Sequence, residues 1–171
     1  MHSDYYVKLR MKLDFEKLLE ESKQIDYKAL AIKASAAQDT WFEYAPTWKY
    51  GKCDEKRNKK FGYFEHLYHG FSKMLDAHIV PNFIKQDANT HVPMHRDSGT
   101  ICSINILLDE DSGPITFEDI GDIYYRIAFV NVGGKRHMVK PFPKERILLK
   151  YSVKDKSYED CLRKIPNTFK Y

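Results

Sequence analysis

Val92-Pro93-Met94-His95-Arg96-Asp97 decides how the rest of this 171-residue chain reads. Side chains of an extended strand alternate with a period of two, so His95 and Asp97 project to the same side. An imidazole and a carboxylate placed in this way can reach one metal ion. His137 follows 42 residues later, enough chain to leave that site and return to it. Nine residues further on, Arg146 opens the apolar run Ile147-Leu148-Leu149, which reads as a strand. A guanidinium there could grip a carboxylate with two parallel hydrogen bonds.

Two imidazoles and one carboxylate on one face of an octahedral ion leave three positions open. That donor set is the one by which non-haem Fe(II) sites activate O2. The order His-x-Asp, His, Arg resembles the 2-oxoglutarate/Fe(II)-dependent dioxygenase superfamily, and the flanking text strengthens the likeness. Val92 to Asp97 resembles the "I-P-x-H-x-D" of several branches. Asn105-Ile106-Leu107-Leu108 and then Gly113-Pro114-Ile115-Thr116-Phe117 resemble "N-I-x-L … G-P-x-x-F", and Asn131 before His137-Met138-Val139 resembles "N … H-x-V". The His-to-Arg interval is similar to that of prolyl hydroxylases. The surrounding text is similar to small phage-type and aspartyl-hydroxylase-like members. The resemblance covers roughly residues 79–153.

What the resemblance implies is a mainly β fold, the double-stranded β-helix of the cupin-type jelly roll, on whose sheet the N-terminal amphipathic helices read below from their apolar stripes would pack. It implies Fe(II) held by His95, Asp97 and His137, with 2-oxoglutarate and O2 as cosubstrates and Arg146 on the distal carboxylate. Retention of Asp97 points to hydroxylation, since relatives that lose this carboxylate can halogenate. The chain reads Arg-Ile-Leu where some branches have Arg-x-Ser, so a second polar group for the cosubstrate must come from elsewhere. Asn105 is the candidate, because a polar side chain amid an apolar strand needs a partner if it is buried. Lys85 and Phe83 fall where relatives place cosubstrate-pocket residues. His91 is set aside as a ligand, and Arg96 alternates away from the metal.

The remaining sequence is compatible with this assignment. The length suits one domain with a real core, divided into a helical and loop part (1–78), a jelly-roll core (79–153) and a tail (154–171). No apolar run is long enough for a membrane span, and Met1-His2-Ser3-Asp4-Tyr5-Tyr6 has no signal-peptide core. Three widely spaced cysteines without a C-x-x-C pair point to a reducing, cytoplasmic compartment, of a cell or a virus-infected host. A net charge of +4 predicts solubility more than a polyanionic partner.

Along the chain, 13–21 reads as a short amphipathic helix, and 25–38 stays open between helix and strand. Residues 61–77 read as a helix with Phe64, Leu67, Tyr68, Phe71, Met74 and Leu75 on one stripe, and with His66 and His69 solvated. Strands are expected at 79–86, 101–108, 114–118, 123–130 and 146–153, and a terminal helix from Ser157 ending before Pro166. The aromatic and basic stretch 40–60 reads as a surface loop. It keeps nucleic acid open as a partner, although a protein, peptide (prolyl) or small-molecule substrate is favoured. Two other classes stay open: a non-catalytic jelly-roll binding or structural module, and a cupin metalloenzyme that does not use 2-oxoglutarate.

Overall fold

The computed structural model describes residues 3–25, 27–29, 48–52 and 62–171. Its core is two antiparallel sheets. The larger is built from β1 (Tyr6–Lys8), β2 (Lys28–Ala29), β3 (Trp48–Lys52), β4 (Ile79–Gln86), β6 (Cys102–Leu107), β9 (Ile127–Val130) and β11 (Arg146–Val153), in the order β1-β9-β6-β11-β4-β3-β2. The smaller joins β5 (Val92–His95), β7 (Ile115–Phe117), β8 (Gly121–Ile123) and β10 (His137–Val139) in the order β5-β10-β7-β8. The arrangement is consistent with the jelly roll expected from the sequence.

Strand parity assigns the two faces of the larger sheet. Ile79, Phe83, Cys102, Ile104, Ile106, Phe129, Leu149, Tyr151 and Val153 form the main hydrophobic core on one face. Packed into that core are Leu18 of α1 (Phe15–Lys23), Phe64, Phe71 and Leu75 of α2 (Tyr63–Leu75), and Tyr158 and Cys161 of α3 (Tyr158–Lys164). The opposite face carries Arg146, Leu148, Lys150 and Ser152 beside Asn82, Ile84, Gln86, Ser103 and Asn105. That face looks toward the smaller sheet. Ala128 and Val130 pack on Ile115, Phe117 and Ile123, and Ile84 packs on Val92 and Val139. Every residue of β6 is buried, as a central strand covered on both faces requires.

The helices are fixed by their ends. Asp14 caps α1 by accepting from the Lys17 amide at 3.1 Å. Gly62 cannot cap α2 with a side chain, and the buried Glu21 of α1 does so instead, accepting from the Tyr63 and Phe64 amides at 2.8 and 2.9 Å. A carboxylate at a helix N-terminus also complements the helix dipole. Ser157 caps α3 through the Asp160 amide.

Strands expected at 79–86 and 146–153 occur at those bounds. The segment 123–130 divides instead, because Tyr124-Tyr125-Arg126 leaves the sheet between β8 and β9. Part of the expected 40–60 loop is β3, an extended segment hydrogen-bonded along β4; the rest of that stretch, and 30–38, lie outside the described residues. Cys102 and Cys161 are buried free thiols. No helix among the described residues is long and apolar enough to cross a membrane.

Candidate metal centre and cosubstrate pocket

β5 ends, β10 begins and β11 ends at the same rim of the two sheets, and the loops 96–101 and 131–136 meet there. Asp97 donates its amide to the Val132 carbonyl at 3.0 Å, and Gly133 to that of Ile101 at 3.0 Å. Gly133 is required at this crossing: a Cβ would stand 2.3 Å from the Thr100 carbonyl oxygen and 2.8 Å from that of Ile101. A cavity of about 440 Å³ opens at this rim, bordered by Asp97, Thr100, Asn131 and Lys154 among others.

His95 and His137 are directly opposite each other on paired strands, and their ring centroids are 4.4 Å apart. Asp97 follows just beyond the end of β5. Its Oδ1 lies 3.3 Å from His95 Nε2 and 3.5 Å from His137 Nε2, so the triad expected from the sequence converges, with ligand atoms within 4.8 Å of one another. The other ring nitrogens face backbone carbonyls, His95 Nδ1 to Pro93 at 2.7 Å and His137 Nδ1 to Lys135 at 3.1 Å. A carbonyl can only accept, so each Nδ1 carries the proton and each Nε2 turns its lone pair toward Asp97. Such a set of donors fits a divalent ion.

The electrostatics prepare the same state. Burial would push the Asp97 carboxyl up, but the Lys150 ammonium beside it outweighs burial and holds the group well below its usual range. Burial drives His137 the other way, below its ordinary value, against the pull of Asp97. The ligands therefore rest as a carboxylate and a neutral imidazole. Lys150, on β11, ion-pairs with Asp97 Oδ2, leaving Oδ1 toward the histidines.

Further into the space between the sheets, Arg146 is 3% exposed. Its Nη1 donates to the Pro114 carbonyl at 3.3 Å and its Nη2 to the Tyr125 hydroxyl at 3.4 Å. Among the described residues no carboxylate lies within ion-pair distance of it. Asn105 is brought to the same place, donating to the Tyr125 hydroxyl at 3.4 Å and accepting from Ser103 at 2.8 Å.

Lys85 is not brought there. It lies on the helix-facing side of β4, 2.7 Å from Glu145, and Phe83 beside it is core, edge-on to Phe64. The expectation for both was off by one residue, and one step along a strand changes the face. Gln86 is the residue paired with Arg146 across β4 and β11. It is buried, its Nε2 donates to the Thr90 carbonyl at 2.7 Å, and its amide oxygen has no partner among the described residues. His91 and Arg96 are exposed, as are His66 and His69.

Sequence reasoning missed Lys150, Tyr125 and Gln86. For Lys150 the signal existed: a charged residue inside an apolar strand, in phase with Arg146. Tyr125 is in the turn between β8 and β9, where no periodicity marks its direction.

The chain matches no protein-family model, and no curated protein matches its sequence. Solved structures do match it. An oxidoreductase of the 2OG-Fe(II) oxygenase family from Burkholderia pseudomallei is 13% identical with a TM-score of 0.59, covering 91% of this chain and 88% of that one. A Pseudomonas putida prolyl-4-hydroxylase is 12% identical with a TM-score of 0.55, covering 88% and 94%. SnoN, a non-haem α-ketoglutarate-dependent epimerase of nogalamycin biosynthesis, is 12% identical with a TM-score of 0.58, covering 88% and 78%. What the chain shares with them at this identity is the fold.

Proposed function

We propose that the protein is an Fe(II)- and 2-oxoglutarate-dependent oxygenase that hydroxylates its substrate, with succinate and CO2 as co-products. The observation that carries this reading is the pairing of a converged His95-Asp97-His137 site with a buried guanidinium, Arg146, that lacks a carboxylate partner among the described residues. A cupin metalloenzyme with no keto-acid cosubstrate has no need of the second feature, and a binding module needs neither.

In this reading His95 and His137 each present an Nε2 lone pair and Asp97 presents Oδ1. Bound Fe(II) would supply O2 activation coupled to oxidative decarboxylation of the keto acid. Arg146 would take the distal carboxylate, with Tyr125 and Asn105 as neutral partners at the same end. Asn105 thereby fills the place left by the missing Arg-x-Ser serine. Gln86, on the same face, holds the Thr90 carbonyl with one Nε2 hydrogen and would offer the other to the acid. The substrate approaches through the cavity beside Asp97 at the rim. A protein or peptide side chain, prolyl in particular, is the class we favour. The prolyl-4-hydroxylase among the structural matches supports it, whereas the epimerase shows that the fold serves other outcomes.

The test is an anaerobic visible titration of metal-free protein with Fe(II) and then 2-oxoglutarate. A weak charge-transfer band should appear only with both, and should vanish in Asp97→Ala and in Arg146→Ala. Folded protein that binds Fe(II) but gives no band would return the assignment to the cupin alternative.

A further inference from the structure

Lys150 is a lysine in the wall of a metal site, and neither the fold nor the proposed reaction assigns it a task. It stands in the middle of β11 with Asn82 and Asn105 as its cross-strand neighbours. Its side chain is 12% exposed and pairs with Asp97, which is 14% exposed. Asp97 Oδ1 remains turned to the two imidazoles, so the ammonium does not block the place of the metal. It does cancel the single negative charge there, since both histidines are neutral ligands. A divalent cation thus enters a site with no net charge, close to a second cation. Once it is bound, that corner carries a surplus of positive charge that only an incoming anion can offset. Arg146 neutralises a distal carboxylate at the far end and leaves the surplus at the metal untouched.

We propose that Lys150 couples the two ligands of this site: its charge weakens the hold on the metal alone and strengthens the binding of an anionic keto acid to the metal-loaded protein. The metal half stands on the triad alone, and the keto-acid half rests on the functional reading above. Two charges a few ångströms apart are worth on the order of a thousandfold in affinity under protein-like screening. An orienting contact to a metal ligand contributes roughly 10- to 100-fold in the opposite sense. The charge effect is the larger, so removing it while keeping the side chain's length should tighten metal binding by about tenfold or more.

The experiment uses Co(II), whose visible bands report its coordination, on full-length wild type, Lys150→Met and Lys150→Arg, each then titrated with 2-oxoglutarate. Lys150→Met should bind Co(II) more tightly by about tenfold or more and 2-oxoglutarate about tenfold more weakly, while Lys150→Arg should behave as wild type in both. A lysine that merely supports the fold would lower both affinities in the Met variant, and that result overturns the proposal. So does a Met variant indistinguishable from wild type. If wild-type Co(II) protein binds no 2-oxoglutarate, the functional reading fails and the coupling fails with it. If it binds normally and only the opposing shifts are missing, the coupling alone is wrong.

Discussion

Replacing Arg146 by methionine should make the ligand-free protein more stable and abolish binding of the cosubstrate. The guanidinium is 3% exposed, and its two hydrogen bonds, at 3.3 and 3.4 Å, are long. Taking a cation out of water costs several kcal/mol even after relaxation. Two stretched bonds to neutral oxygens return only part of that, since well-made bonds to charged groups are worth about 1.5–3 kcal/mol each. Methionine spans a similar length without the charge, at the smaller loss of one partner for the Pro114 carbonyl. The expected balance is a gain of about 1–2 kcal/mol, which for a chain of this size raises Tm by roughly 2–8 °C. Thermal and urea melts of the Zn(II)-loaded protein, with and without 2-oxoglutarate, read both effects. At a hundredfold excess over Kd the cosubstrate should add about 2.7 kcal/mol to wild type, and at that concentration nothing to the variant. A variant that melts several degrees below wild type would refute the reasoning, making Arg146 a structural brace between Pro114 and Tyr125.

Three other outcomes follow from the geometry. His137 is held below its ordinary value by burial, so the folded state stays neutral where the unfolded chain takes up a proton. Stability of the metal-free protein should be full above pH ~6.5 and fall as pH drops below it. Asp97, depressed in the fold, should add a further loss below pH ~3.9; urea midpoints across pH 3–8 would show both, and a flat profile down to pH 5 would contradict the first. Gly133→Ala forces a methyl against two backbone oxygens at 2.3 and 2.8 Å and should cost about 3 kcal/mol, seen as a lower urea midpoint; an unchanged midpoint would mean the rim loops shift freely. Lys85→Met should leave 2-oxoglutarate affinity within about twofold of wild type and cost under ~1 kcal/mol, because its ion pair with Glu145 is partly exposed to solvent. A tenfold weaker titration would return Lys85 to the pocket.

The convergence of His95, Asp97 and His137 was legible in the sequence because it needs only an alternation rule and an order. His95 and Asp97 share a face by parity, and His137 and Arg146 each announce the strand they open. The long strands β4 and β11 were legible as runs rich in Ile, Val, Leu and aromatic residues between turn residues. Lys85 and Phe83 were misjudged where the rule is most fragile, since parity transmits a one-residue error in full. Gln86 and Lys150 obey that rule, but it says only that they share a side, not what waits there. Tyr125 depends on the path of an irregular turn, and the cap that Glu21 provides to α2 depends on a contact between residues 42 and 43 positions apart. Neither leaves a local trace.

The two imidazoles belong to the smaller sheet, and Arg146 and Lys150 to the larger. The span from the His95-Asp97-His137 cluster to Arg146 is therefore a gauge set by the gap between sheets, and no single strand or loop fixes it. That gap is filled by Ile84 against Val92 and Val139, and by Ala128 and Val130 against Ile115 and Phe117. Enlarging Ala128 or trimming Ile115 would reset the gauge without replacing any ligand. If the site takes a keto diacid, as proposed, its preference among those of four, five or six carbons follows from that apolar filling.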